Sequence, residues 1–155
     1  MMPLMNRLNV RGAARVLAVL LSACVAGSSA CTSPTSPTFR ATFAVTDVRA
    51  GTGTLVANGM TALVNYTGWL YDDTKADKKG EQFDASPAGQ PFVFKVGSAQ
   101  VIEGWDRGVI NMRVGGLRQL IIPAKLAYGR EGAGAKIPPN ATLVFDIELL
   151  SLVGG

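Results

Sequence analysis

A chain of 155 residues suits one domain plus a short appendage, and its 18 glycines and 8 prolines favour a turn-rich, mostly β architecture over a helix bundle. It contains no histidine, which excludes imidazole bases, Ser-His-Asp and Cys-His arrangements and histidine-ligated metal sites, and its two cysteines cannot build a zinc site or a disulfide framework. Of the net charge of +4, Arg7, Arg11 and Arg15 supply three, so the remainder carries +1 and offers no basic patch for nucleic acid.

Those arginines precede VLAVLLSA, residues 16–23, an apolar run too short to span a bilayer and of the length of a signal-peptide core. Leu21 to Cys24, LSAC, resembles the bacterial lipobox, in which the cysteine is lipid-modified and becomes the new N-terminus. SSAC, ending at Cys31, is an alternative with a longer apolar stretch before it but no leucine three positions ahead, which favours Cys24. An ordinary secretory signal with two incidental cysteines is the plainer reading. Either way the chain is expected to be exported. The lipobox resemblance implies a signal peptide over 1–23 and acyl chains on Cys24 that anchor the protein to a membrane of the cell envelope, at a periplasmic or extracytoplasmic face. TSPTSPT, residues 32–38, cannot pack and extends the anchor as a tether over 24–38, leaving 39–155 to fold.

In the domain, TFRATFAVTDVRAG predicts a first strand ending in glycine, and TALVNYTGWLY, residues 61–71, a second by its alternation. DDTKADKKGEQ, residues 72–82, is dense in charge and turn formers and reads as a solvated loop. PFVFKVG (91–97) and LRQLIIPA (117–124) supply further short strands. Between them Ile102, Trp105, Val109 and Met112 recur at intervals of three and four, which predicts one short helix closed by Gly115 and Gly116. GREGAGAK lacks the Gly-Lys-Ser/Thr core of a phosphate loop and reads as a flexible flap. In IPPNATLVFDIELL, Leu143, Phe145, Ile147 and Leu149 point one way and Val144, Asp146, Glu148 and Leu150 the other, a strand with one buried face. Pro138 and Pro139 lack the N–H that a ladder needs and belong in the turn before it. The sum is an α+β domain, an antiparallel sheet with a helix across one face.

Taken together and in order, VNYTGWL, FDAS, PFVFKVG, QVIEGWDRGV, AYG and IPPNATLVFDIELL resemble the FKBP-type peptidyl-prolyl cis/trans isomerases over nearly the whole domain. The resemblance implies a curved antiparallel sheet of five or six strands wrapped around one short helix, with an apolar proline-binding pocket between them. It implies Trp105 as the pocket floor, Tyr66, Phe83, Phe92, Val101, Ile102, Tyr128 and Phe145 as walls, Asp84 at the rim and Ile137 at one edge. The Ile102 backbone N–H and the Tyr128 hydroxyl would meet substrate carbonyls. Residue by residue, each has a simpler account: Trp105 as a core aromatic of an amphipathic helix, Tyr128 as an edge tyrosine in a turn, Asp84 as a turn cap, Phe92 and Phe145 as core. The functional reading rests on their joint order.

An isomerase of this kind assists the folding of exported proteins by desolvating Xaa-Pro amides, with no cofactor, nucleophile or histidine. Its partners would be proline-containing polypeptides and the macrolide inhibitors of the family, and the domain is expected to be a monomer. A non-catalytic peptide-binding or chaperone module is the alternative. The chain departs from the family pattern in three places: a longer charged loop at 72–82, no clear arginine to pair with Asp84, and Ala133 and Lys136 in the flap where some relatives have bulkier residues.

Overall fold

Six strands and one helix follow one another along a computed structural model, which describes residues 41–154. The expected signal peptide, the candidate lipidation sites Cys24 and Cys31, the expected tether and the expected domain start at Phe39 lie outside the described residues. The strands are β1 (Ala44–Arg49), β2 (Thr61–Tyr71), β3 (Lys79–Ala85), β4 (Phe92–Lys95), β5 (Leu117–Ile122) and β6 (Leu143–Val153), and α1 (Glu103–Gly108) lies between β4 and β5. They form a six-stranded antiparallel sheet in the order β1-β5-β6-β2-β3, with β4 also pairing β2. Among the described residues no helix is long and apolar enough to cross a membrane.

Alternation decides which face is core. Ala62 and Val64 of β2, Leu120 and Ile122 of β5, and Leu143, Phe145, Ile147 and Leu149 of β6 are all buried on one face, where they meet Phe94, Val96, Trp105, Val109 and Met112. Each fully buried Leu, Ile or Phe contributes about 1.5–3 kcal/mol. The opposite face carries paired charges: Lys79 Nζ to Asp146 at 2.6 Å and Arg49 to Glu148 at 2.7 Å. Val144 departs from the expected outward set, being fully buried. It sits between its cross-strand partners Trp69 and Ile121, and Lys79 stacks over the Trp69 ring at 4.5 Å.

The helix has six residues, too few to hold by itself. Gly104 and Gly108 cost it about 1 kcal/mol each in propensity, yet they face the sheet and let it lie close. A Cβ at Gly104 would stand 2.3 Å from Ile122 Cγ2, and one at Gly108 would stand 2.5 Å from Leu120 Cδ1. Glu103 pairs with Arg107 one turn on. Arg118, buried on β5, donates to the carbonyls of Gly108 (2.8 Å) and Ile110 (2.9 Å), caps the end of α1, and pairs with Asp47 of β1 at 2.7 Å. The helix thus stops at Gly108, well before Gly115 and Gly116; the chain then turns through Asn111, at φ 62°, and Met112 packs in the core from outside the helix.

Two further expectations are corrected. The first strand is shorter than read, beginning at Ala44. The charged segment 72–82 is a loop only to Lys78; from Lys79 it is β3, pairing β2 with irregularities at Gly68/Trp69 and Trp69/Tyr71. An edge strand whose only buried residue is Phe83 shows no apolar period for a sequence reading to find.

Candidate aromatic site

Three strands and the helix aim rings at one place. Tyr66 comes from β2, Phe92 and Phe94 from alternate positions of β4, Phe145 from β6 opposite Gly68, and Trp105 from the face of α1 turned to the sheet. Trp105 is the hub, with ring centroids 5.1 Å from Tyr66, 5.3 Å from Phe145, 5.6 Å from Phe94 and 6.0 Å from Phe92, all near edge-to-face. Phe83 of β3 joins through Phe145 at 5.6 Å. Edge-to-face geometry places ring hydrogens against neighbouring π faces and adds about 0.5–1.5 kcal/mol per pair beyond burial. Gly68 makes room for it, since a Cβ there would meet Phe145 and Phe83 ring atoms at 2.7 Å.

The cluster grades from a buried floor to an open rim. Trp105 is 4% exposed, whereas Phe92 and Tyr128 are 39% and 40% exposed. The Trp105 Nε1–H is buried with no acceptor among the described residues. Val101 and Ile102, half-buried, pack against the cluster just before α1. They are held there because the Asp106 carboxylate accepts from the N–H groups of Gly97 (2.8 Å) and Ala99 (3.0 Å), tying the preceding turn to the helix. The Ile102 N–H finds no acceptor among the described residues. The flap is pinned: Ala133 and Ile137 exchange backbone hydrogen bonds at 2.9 and 3.2 Å, and Ile137 is buried against the cluster.

Polar groups gather at the rim. The Tyr66 hydroxyl donates to Asp84 Oδ2 at 2.7 Å, and Asp84 Oδ1 accepts from the Ala85 N–H at 2.9 Å. Asp84 is therefore held by a phenol and a main-chain donor in place of an arginine. Burial, reinforced by that bond and the Asp84 charge, pushes the Tyr66 phenol well above its ordinary value; burial and then the Asp84 charge raise Tyr128 in the same direction. Both phenols remain protonated donors at neutral pH.

All ten site residues expected from the sequence, Tyr66, Phe83, Asp84, Phe92, Val101, Ile102, Trp105, Tyr128, Ile137 and Phe145, thus lie in or at the edge of one region. Phe94 and Gly68 were not anticipated. Phe94 had a legible signal, since it stands two positions from Phe92 in a strand and shares its face. Gly68 had none. A separate cleft of about 410 Å³ opens on the opposite face, lined by Asn65, Thr67, Ser86, Asp146 and Glu148. Its two carboxylates are already ion-paired, and no aromatic ring of the cluster except the strand residue Tyr66 borders it.

Comparison with known proteins agrees with this fold. Residues 53–150 match the family described as FKBP-type peptidyl-prolyl cis-trans isomerase. The FK506-binding protein of Neisseria meningitidis serogroup B is 42% identical over 108 residues, covering 70% of this chain and 94% of that protein. FK506-binding protein 4 of Gibberella zeae is 49% identical over 108 residues. The chain spans only 20% to 27% of the length of that relative and its namesakes from Rhizopus delemar and Dictyostelium discoideum. Among solved structures, AtFKBP13 superposes with a TM-score of 0.61 at 36% identity, covering 72% of this chain and 93% of that one. A peptidyl-prolyl cis-trans isomerase of Pseudomonas syringae gives 0.60 at 38% identity, covering 72% and 76%.

Proposed function

The chain belongs to the FKBP-type peptidyl-prolyl cis-trans isomerases, and from that premise we propose that its domain catalyses cis/trans isomerisation of Xaa-Pro bonds in exported polypeptides, assisting their folding. The observation that carries the proposal is the ring cluster around Trp105, open at its rim and flanked by two donors without acceptors among the described residues, the Ile102 N–H and the Tyr128 hydroxyl.

The chemistry requires no covalent step. An Xaa-Pro bond turns slowly because amide resonance must be broken, at a cost of about 18–20 kcal/mol. The planar amide separates charge more than the twisted one, so an apolar enclosure that strips water from it favours the twist. Trp105, Tyr66, Phe92, Phe145 and Phe83 supply that enclosure. The Ile102 N–H and Tyr128 hydroxyl hold substrate carbonyls while one side of the bond rotates, and each 1.36 kcal/mol gained in the transition state is tenfold in rate. Asp84, fixed by Tyr66, sets the field at the rim.

The same pocket accepts FK506-type macrolides, a reading supported by the names of the relatives. Export and anchoring through Cys24 are proposed from the arginines, the short apolar run and LSAC at the N-terminus, and the domain acts as a monomer at the end of its tether. The test is cis/trans exchange of an Xaa-Pro peptide followed by NMR over a series of protein concentrations. Exchange accelerated in proportion to protein, and suppressed by FK506, is the expected result. A folded protein that binds the peptide without accelerating exchange would turn the assignment to a peptide-binding or chaperone module.

A further inference from the structure

One side chain ties the flap to β3 beside the aromatic cluster. Lys136, in the turn between the bridged residues Ala133 and Ile137, donates from Nζ to the Phe83 carbonyl at 3.1 Å. Phe83 is a wall residue and Asp84 follows it, so the ammonium lies where flap and β3 meet at the rim. An ammonium has three donors, and the Phe83 carbonyl takes one. Lys136 makes no ion pair among the described residues. Both Asp84 oxygens are already engaged, one by Tyr66 and one by Ala85. The other flap charges, Arg130 and Glu131, are exposed neighbours of opposite sign.

We propose that Lys136 is a specificity-determining residue of the isomerase reading above, selecting proline segments that carry a carboxylate beside the proline. The latch to Phe83 holds a long, flexible side chain in place before substrate arrives, so little ordering is left for binding. A polypeptide entering between flap and β3 then meets a fixed positive charge with two open donors. An acidic side chain next to the proline satisfies them with a charge-assisted hydrogen bond, and a basic one is repelled. The Asp84 charge also acts at the rim and opposes this, so the Lys136 variants, which leave Asp84 in place, isolate the contribution of the ammonium.

The test compares kcat/KM of the full chain on peptides that differ only beside the proline, with Glu, Gln or Lys before it and the same three after it. For a charge pair at a partly hydrated rim, the Glu peptide should exceed the Lys peptide by about three- to tenfold at low salt in at least one of the two positions. The preference should collapse towards unity near 1 M salt, where the Debye length is about 3 Å. Lys136→Arg should keep the preference, Lys136→Met should lose it, and Lys136→Glu should reverse it. A parent protein that accelerates the Gln peptides but shows no Glu-over-Lys preference overturns the inference and leaves the isomerase reading standing. So does a preference that survives in Lys136→Met. Failure to accelerate any peptide would instead strike the isomerase reading itself.

Discussion

Replacing Gly68 by alanine probes how closely the sheet holds the aromatic cluster. A Cβ at this position would lie 2.7 Å from Phe145 Cε1 and 2.7 Å from Phe83 Cζ, whereas carbon atoms rest at about 3.5–4.0 Å. Both rings must therefore retreat by roughly 1 Å. Neither has free space: Phe145 is 4% exposed and Phe83 8%, and Phe145 already stands edge-on to Trp105 at 5.3 Å. Overpacking of this kind costs about 1–3 kcal/mol. Relief of a strand glycine returns about 0.5–1 kcal/mol, leaving a net loss centred near ~1 kcal/mol and at most about 2.5 kcal/mol. At a urea slope of about 1–3 kcal/mol per molar, the unfolding midpoint should fall by roughly 0.5–1 M. Peptide exchange should slow as well, because the rings are driven towards the space that substrate occupies. Unfolding by tryptophan fluorescence and exchange by NMR read the two effects separately. A variant as stable as its parent with undiminished exchange would refute the packing account of the site.

Three other outcomes follow from the contacts. Gly104→Ala places a Cβ 2.3 Å from Ile122, which is fully buried, so α1 should lift from β5 at about 1–3 kcal/mol, offset by about 1 kcal/mol of helix propensity, a net loss of up to about 2 kcal/mol measured by urea denaturation. Asp47 is held below the ordinary carboxylate range, chiefly by its hydrogen bond from Arg118. A depressed folded pKa gives stability that is present above the unfolded value and lost as pH falls through the folded one; with the Asp47 side chain 52% exposed, the effect should stay under about 1 kcal/mol. Thermal melts of Asp47→Asn should accordingly lose part of the parent's acid sensitivity below about pH 4, and identical acid limbs would count against the pair. Asp84→Asn removes the charge that helps to hold Tyr66 and Tyr128 protonated. Their alkaline titration, followed by ultraviolet absorbance, should shift down; because burial is the larger cause, it should not return fully to that of a free phenol.

Much of the architecture was written into local pattern. The alternation of TALVNYTGWLY fixed β2 to the residue, and that of LVFDIELL placed Phe145 on the core face, because a half-buried antiparallel strand must alternate to satisfy water on one side and core on the other. Tyr66 and Phe145 follow the same alternation, but Trp105 lies on a helix, Tyr128 in a turn and Phe83 on β3, so the site was legible as a set only through the resemblance of the ordered motifs to the FKBP-type family. β3 was not legible. Lys79 to Gln82 carry no apolar period, and their extended conformation is induced by the unpaired edge of β2.

What the sequence determined by itself was composition-level chemistry, the strand periods and the identity of the rings. Tertiary structure alone decided the length of α1, which ends where Arg118 reaches the carbonyls of Gly108 and, just beyond it, Ile110, and the close approaches that require glycine at 68, 104 and 108. It also decided that Lys136 reaches Phe83, 53 positions away along the chain. These features depend on distances between segments remote in sequence, and no local propensity encodes such a distance; only the packed core sets it.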